Sequence, residues 1–341
     1  MKTSIGTVFH SFGAAVCAGA VLLIASSAQA QNLFVANWAD NDIIEITPSG
    51  VQSIFASGLD GPYGLAFNSA GDLFVANFFG GDIIEITPSG TQSIIASGLD
   101  NAYALAFNSA GDLFVSCVGG GASPIIEITP GGVKSTFAAS SDAAGLAFDN
   151  AGDLFVASRE YIFEYPPVGL KSLFASGLFV AGGLAFNNTG DLFVANWGDN
   201  DIIEITPSGV QSIFASGLDG PFGLAFDSAG DLIVTCDDSG KICEFINNGG
   251  TLSTNQVIFA SGLHEPSGVA FQPVPELQGV ATNDAFQLTV TMPSPYYSTI
   301  VQASSDLVNW CNIYTNMPPF TFTDPISSEC PARFYRALLG P

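Results

Sequence analysis

A unit of some 40 residues recurs along most of this chain, and whatever fold it adopts must accommodate that repetition. Gly-Asp-Leu begins at Gly71, Gly111, Gly152, Gly190 and Gly230, at spacings of 40, 41, 38 and 40. Residues 33–72 and 192–231 differ at only three positions: Ala39/Gly198, Tyr63/Phe222 and Asn68/Asp227. Each copy holds four short apolar runs, as in Gly64-Leu65-Ala66-Phe67, Leu73-Phe74-Val75-Ala76, Ile83-Ile84-Glu85-Ile86 and Ser93-Ile94-Ile95-Ala96. Turn residues separate them, notably Asn68-Ser69-Ala70-Gly71-Asp72 and Thr87-Pro88-Ser89-Gly90. Runs this short, rich in Val, Ile and Phe, are strands rather than helices.

The strands are apolar at nearly every position, whereas a sheet with one wet face would alternate. Both faces of each sheet are therefore expected to be covered, as in a ring of four-stranded blades packed face to face. The second run occurs six times, from Leu33, Leu73, Leu113, Leu154, Leu192 and Leu232. The first also occurs six times, from Gly64, Ala104, Gly145, Gly183, Gly223 and Gly268. The repeat region thus opens on a second strand and ends on a first strand. Joining these partial copies makes one whole blade, closes the circle and leaves no long free edge. The fold class expected is all-β: a six-bladed β-propeller over residues 31–272.

The segments Pro62-Tyr63-Gly64-Leu65-Ala66-Phe67-Asn68, Gly71-Asp72-Leu73-Phe74-Val75-Ala76-Asn77 and Asp82-Ile83 resemble an NHL repeat. More loosely, residues 32–272 are similar to the six-bladed gluconolactonase/SMP-30 group. The basic residue that NHL repeats often carry before the Ile is here Asp42, Asp82 and Asp201. That departure argues against the RNA-binding role of some relatives. The Gly-His and Trp-Asp signatures of WD40 repeats are absent.

Residues 1–30 read as a signal peptide: Lys2, an apolar run over 14–25, and Ala28-Gln29-Ala30 as a small-x-small cleavage site. The run is short for a bilayer span, and a retained N-terminal anchor is the alternative. Cleavage would leave a mature chain from Gln31, secreted or periplasmic, with no membrane insertion, and expected to be a monomer. Seven Lys and Arg against 31 Asp and Glu give a net charge of −24. A chain so acidic repels phosphate backbones and anionic headgroups, so nucleic acid and anionic membranes are poor partners. Glycans, protein ligands and cations remain.

Residues 273–276 form a proline-containing linker, and the repeat stops there. Residues 277–341 carry strand-like runs at 286–291, 299–303, 320–323 and 333–338. The stretches Gln302-Ala303-Ser304-Ser305-Asp306-Leu307-Val308-Asn309-Trp310, Phe320-Thr321-Phe322-Thr323-Asp324 and Arg333-Phe334-Tyr335-Arg336 resemble the small β-sandwich appended to many secreted bacterial proteins. Export permits disulfides. Cys311 and Cys330 share this module and are the expected pair, whereas Cys117, Cys236 and Cys243 are expected as buried thiols that do not lie opposite one another.

Propeller ligands sit at one mouth of the channel, where loops between strands two and three meet the interblade loops. The position ending strand two reads Asn37, Asn77, Cys117, Ser158, Asn196 and Cys236; the next reads Trp38, Phe78, Val118, Arg159, Trp197 and Asp237. In the interblade loop one position reads Gly61, Asn101, Asp142, Val180, Gly220 and Glu265. Two residues later stand Tyr63, Tyr103, Ala144, Gly182, Phe222 and Ser267. Trp38, Tyr63, Phe78, Tyr103, Trp197 and Phe222, with Asn37, Asn77 and Asn196 as hydrogen-bonding groups, would make a face suited to a glycan or a protein loop. The same aromatics would serve equally as spacers between blades.

Glu265, Asn101 and Asp142 break the repeat at one ring position and could hold Ca²⁺ or another hard divalent metal ion. The gluconolactonase/SMP-30 resemblance implies such a Glu, Asn, Asp set polarising a lactone and activating water. His264-Glu265-Pro266 only loosely resembles that family's Glu-Gly-Pro. The competing reading is two turn formers and a solvated glutamate. His264 is the only histidine after residue 30, and no Gly-x-Ser-x-Gly precedes a helix. A relation to streptogramin lyases is unsupported for want of histidines. Glu45, Glu85, Glu127, Glu164, Glu204 and Glu244 recur once per blade, which reads as structural. Blade uniformity favours an exported, non-catalytic binding propeller; the alternative is a metal-dependent, gluconolactonase-like hydrolase.

Overall fold

The structure, a computed structural model, describes residues 31–273 apart from 120–122, 141 and 169, together with strands at 11–12, 276–281, 285–291, 299–304, 311–316, 320–325 and 332–339. The chain divides into two compact units, one of Asn32–Asn68 and Asp72–Gln272, the other holding the C-terminal strands.

The first unit is a six-bladed β-propeller. Five blades lay four antiparallel strands side by side in chain order, over 62–97, 102–140, 143–176, 181–216 and 221–261. Blade one is the composite foreseen from the offset: Pro266–Phe271 pairs with Leu33–Asn37, which is followed by Asp42–Ile46 and Gln52–Ser57. Its seam is antiparallel, with Leu33 opposite Phe271 and Val35 opposite Val269.

Apolar packing between blades holds the ring. The second strands are buried along their whole length, for example Leu33–Asn37 and Leu192–Asn196. Each blade interface has its own core: Phe74 and Ile83 of blade two meet Leu113 and Val115 of blade three. Across the seam, Leu33 and Ile46 meet Ile233 and Ile242 of blade six. The phenylalanines serve these interfaces. Phe34 of blade one lies edge-on between Phe55 of its own fourth strand and Phe67 of blade two, with ring centroids 4.8 and 5.2 Å away. Phe155 and Phe193 repeat the arrangement with Phe174 and Phe186, and with Phe214 and Phe226. Such pairs add about 0.5–1.5 kcal/mol each beyond area burial.

The expectation that both faces are covered needs one correction, at the outermost strands. Ile54, Ile94 and Ile213 of the fourth strands are 62–65% exposed, because a blade widens away from the axis and its neighbours no longer reach the rim. Side chains shield these edges instead. Gln92 Nε2 donates to the Ser57 carbonyl of the blade before it at 3.1 Å, and Gln52, Gln211 and Lys134 do likewise. Three of the repeated glutamates meet the fourth strand: Ser93, Ser135 and Ser172 donate to Glu85, Glu127 and Glu164 at 3.2, 3.4 and 3.2 Å.

At the axis the first strands approach backbone to backbone. A methyl group on Gly64 would overlap the Tyr103 carbonyl of blade three. Gly145 faces the Gly182 carbonyl in the same way, Gly183 that of Phe222, Gly223 that of Ser267, and Gly268 that of Tyr63 across the seam. Only Ala104 departs from glycine at this position.

Cys117, Cys236 and Cys243 are buried free thiols. Cys236 lies opposite Lys241, and Cys243 opposite Val234, so the two thiols are diagonal neighbours on one face rather than opposed. Their sulfurs are nevertheless 3.2 Å apart, closer than position in the repeat implies. The hydrogen bond to Cys243, then burial, holds the Cys236 thiol above its ordinary value.

In the second unit, Glu276–Ala281, Ala285–Thr291 and Phe320–Pro325 form one antiparallel sheet. Thr299–Ser304 lies between Cys311–Asn316 and Ala332–Leu339 in another. The strand at Glu276 begins inside the expected linker. Cys311 is exposed, with no disulfide partner among the described residues; Cys330 lies outside them, as do residues 1–10 and 13–30 of the expected signal peptide.

Two substitutions in blade five should move stability in opposite directions. Gly183→Ala forces a methyl against the Phe222 carbonyl and should lower unfolding free energy by about 1–3 kcal/mol. Val180 is a β-branched residue held at φ 55° and 44% exposed, so Val180→Asn should raise it by about 1 kcal/mol. Urea unfolding of the two variants beside the parent measures both.

Candidate functional site at the channel mouth

The two loop sets aligned from sequence do meet on one face. The N–H following strand two donates to the carbonyl of the aligned interblade residue: Phe78 to Gly61 at 2.8 Å, Val118 to Asn101 at 3.1 Å, and Asp237 to Gly220 at 2.8 Å. Trp38 to Glu265 and Trp197 to Val180 are longer, at 3.3 Å.

That interblade position has a left-handed backbone in all six blades. Gly61, Asn101, Asp142, Val180, Gly220 and Glu265 have φ of 70°, 50°, 58°, 55°, 66° and 53°. Asn and Asp tolerate this conformation better than other side chains, which accounts for two of the three proposed metal ligands without a metal. Asp142 is also committed to Arg159, whose Nε lies 2.7 Å from its carboxylate, while Glu265 is exposed. Among the described residues no three His, Cys, Asp or Glu side chains cluster as a metal site.

The asparagines ending strand two are buried and work inside the loops. Asn37 Oδ1 accepts the His264 N–H at 2.6 Å, while its Nδ2 donates to Asp40 and Asp42, both at 2.9 Å. Asn196 does the same with the Phe179 N–H, Asp199 and Asp201. Asn77 accepts the Asp60 N–H at 2.6 Å. All three latch the strand two–three loop to the interblade loop through Oδ1.

Four of the six aligned aromatics surround a cavity of about 310 Å³ at the mouth: Tyr63, Tyr103, Trp197 and Phe222. The other two do not line it. Trp38 packs on Phe79 of blade two at 5.7 Å and against the Gly61 turn, and Phe78 packs on Tyr63 of its own blade at 5.7 Å and on Tyr103 of blade three at 6.2 Å. These are the spacers of the competing reading. The cavity opens where the ring carries small residues, Ala144 and Gly182 in blades four and five, in place of the Tyr and Phe of blades two, three and six. Ser267 is small too, but it is buried, with its hydroxyl within 3.2–3.4 Å of the Ala36, Pro62 and Tyr63 carbonyls.

The Tyr and Phe side chains of blades two, three and six form a linked aromatic set. Tyr63 donates to the Tyr103 hydroxyl at 3.1 Å, their rings lie 4.2 Å apart, and Phe222 meets Tyr63 edge-on at 5.1 Å. Burial pushes the Tyr103 phenol up to about 12 and Tyr63 higher still, so both are neutral donors at physiological pH. Arg159, Asp142 and Asp237 supply the charge. Burial, then the neighbouring Asp238 and Glu265 carboxylates, pushes Asp237 up to about 6. His264 instead pairs with Asp40 at 2.8 Å, on largely exposed side chains.

Besides the aromatics expected from sequence, the cavity is lined by Asp237, Arg159, Ala144 and Gly182, which the sequence does not single out as site residues. The available signal was departure from the repeat, since each stands where other blades carry a different residue type.

Fold and site together define a six-bladed β-propeller with a cavity at one mouth. Among solved structures it is similar to a gluconolactonase from Xanthomonas campestris, with TM-score 0.54 and 14% identity, covering 60% of this chain and 79% of that one. It is also similar to a streptogramin B lyase, at 0.52 and 13%, covering 90% and 98%. A third is an auxiliary nutrient-binding protein from Bacteroides thetaiotaomicron VPI-5482, at 0.53 and 12%, covering 60% and 64%. At such identities the likeness is one of fold. No family model and no curated protein matches the chain.

Asp237 makes the site's electrostatics measurable. Its folded value is raised, so it costs no stability below the ordinary Asp value, where both states are protonated. The cost grows as pH climbs toward 6 and persists above. Asp237→Asn should thus melt higher than the parent at about pH 7.5, with the gap closing by about pH 4. An equal gap at both values would contradict this assignment.

Proposed function

We propose that this chain is an exported, non-catalytic binding propeller that holds a small ligand, or the end of a larger glycan or protein ligand, in the mouth cavity. The observation carrying the reading is that cavity: four aromatic side chains and two small residues, Ala144 and Gly182, line about 310 Å³. That is near the lower end of small-molecule sites, with the mostly apolar lining and few polar groups typical of them. Groups a hydrolase would need are engaged elsewhere: His264 with Asp40, and Asp142 with Arg159. Two structures of similar fold are named for enzymes and a third for nutrient binding, so fold alone does not choose.

The second reading, a metal-dependent lactonase using Glu265, Asn101 and Asp142, rests on the gluconolactonase likeness and on the three side chains sharing one ring position. Metal analysis of the purified protein after Ca²⁺ loading, a lactone and ester turnover screen, and a small-molecule and glycan binding screen separate the two. The binding reading expects no stoichiometric divalent ion, no turnover, and binding weakened by Trp197→Ala but not by Trp38→Ala. Stoichiometric metal and turnover, both lost in Glu265→Ala, would overturn it.

A further inference from the structure

The charges at the mouth do not balance. Arg159 and Asp142 form an ion pair, so together they present no net charge to the cavity. Asp237 forms no ion pair among the described residues, although it lines the same space. The groups acting on it are the Asp238 and Glu265 carboxylates and the Tyr63 and Tyr103 phenols, while the paired Asp142 and Arg159 line the same cavity. The first two add negative potential, and the phenols are neutral. A half-buried carboxylate beside two others and without a countercharge is costly to keep unless something positive arrives to meet it.

The rest of the lining suits a positive group that is also apolar. Tyr63, Tyr103, Trp197 and Phe222 carry electron-rich rings, which attract cations, best when the site is partly dry. The volume admits a compact headgroup. The net charge of −24 draws cations toward the surface and repels anions at long range. A neutral sugar would use the aromatic surface but leave Asp237 uncompensated, and an anion would oppose it.

We infer that the mouth cavity takes a small organic cation, a quaternary ammonium or protonated amine, with its charge toward Asp237 and its alkyl groups among Tyr63, Tyr103, Trp197 and Phe222. This rests on the reading of the mouth as a binding site and adds the ligand's chemical class.

The test is calorimetric titration of the full mature chain at low ionic strength with choline and tetramethylammonium. The neutral shape mimic 3,3-dimethylbutan-1-ol and the neutral sugars glucose and N-acetylglucosamine form the comparison arms. Saturable choline binding is expected, with the alcohol at least about tenfold weaker. Asp237→Asn should cost at least about tenfold, as should Trp197→Ala, while Trp38→Ala should leave affinity unchanged. Circular dichroism of each variant confirms folding. Equal affinity for choline and the alcohol, choline binding undiminished in Asp237→Asn, or no choline binding at all would overturn the inference. If a sugar or the alcohol binds in a Trp197-dependent way, the mouth stands as a binding site and only the charge preference falls. If no probe in any arm binds, both fall.

Discussion

The close approach of six inner strands around one axis sets the terms for everything else in the propeller. Five glycines let those strands meet backbone to backbone, each facing a carbonyl of the next blade, and the circle continues across the seam from Gly268 to Tyr63. With the centre so tight, blades must splay outward as wedges. The apolar residues of the second and third strands then fill the space between neighbours, one core per interface. The same splay explains why fourth-strand isoleucines end up in water. Because each blade is packed on both sides, stability comes from closing the ring rather than from any blade alone.

A ring of near-identical blades has no preferred site, so function must come from departures. The departures here concentrate at the mouth. Ala144 and Gly182 remove two bulky side chains on adjacent blades, and Asp237 replaces an aromatic on the next blade but one from Ala144. The result is a lopsided hole, its aromatics supplied by Tyr63, Tyr103 and Phe222 of blades two, three and six and by Trp197 beside Gly182 in blade five. Val180 and Asp237 both carry a cost, one in backbone conformation and one in an elevated carboxyl, and both line this cavity. Strain gathered at one place is the usual mark of a surface shaped for something other than stability.

The fold was legible because repetition multiplies a weak signal. One run such as Leu73-Phe74-Val75-Ala76 could be many things; six at even spacing, with a half-blade offset at the ends, leave one closed architecture. The site was harder to read, because a sequence shows residue type but not direction. Trp38 and Trp197 occupy equivalent positions, yet Phe79 claims the first while the second faces the cavity. Asn37 and Asn196 looked like ligand groups but are consumed by N–H groups the loops would otherwise leave unpaired. Glu265, Asn101 and Asp142 share one left-handed turn with Gly61, Val180 and Gly220, a constraint that residue type alone does not display. The Cys236–Cys243 contact was hidden by a diagonal register that repeat position cannot express.

Two missing side chains, those of Ala144 and Gly182, open the mouth cavity on which the proposed ligand site depends. Ala144→Tyr tests it most directly by restoring the residue that blades two and three carry, Tyr63 and Tyr103. A crystal structure of the folded variant, with ammonium titration alongside, is the decisive measurement. The expected result is an unchanged propeller, the new ring inside the cavity, and ammonium binding abolished. A folded variant with the ring in place and its affinity intact would show that the ligand binds elsewhere.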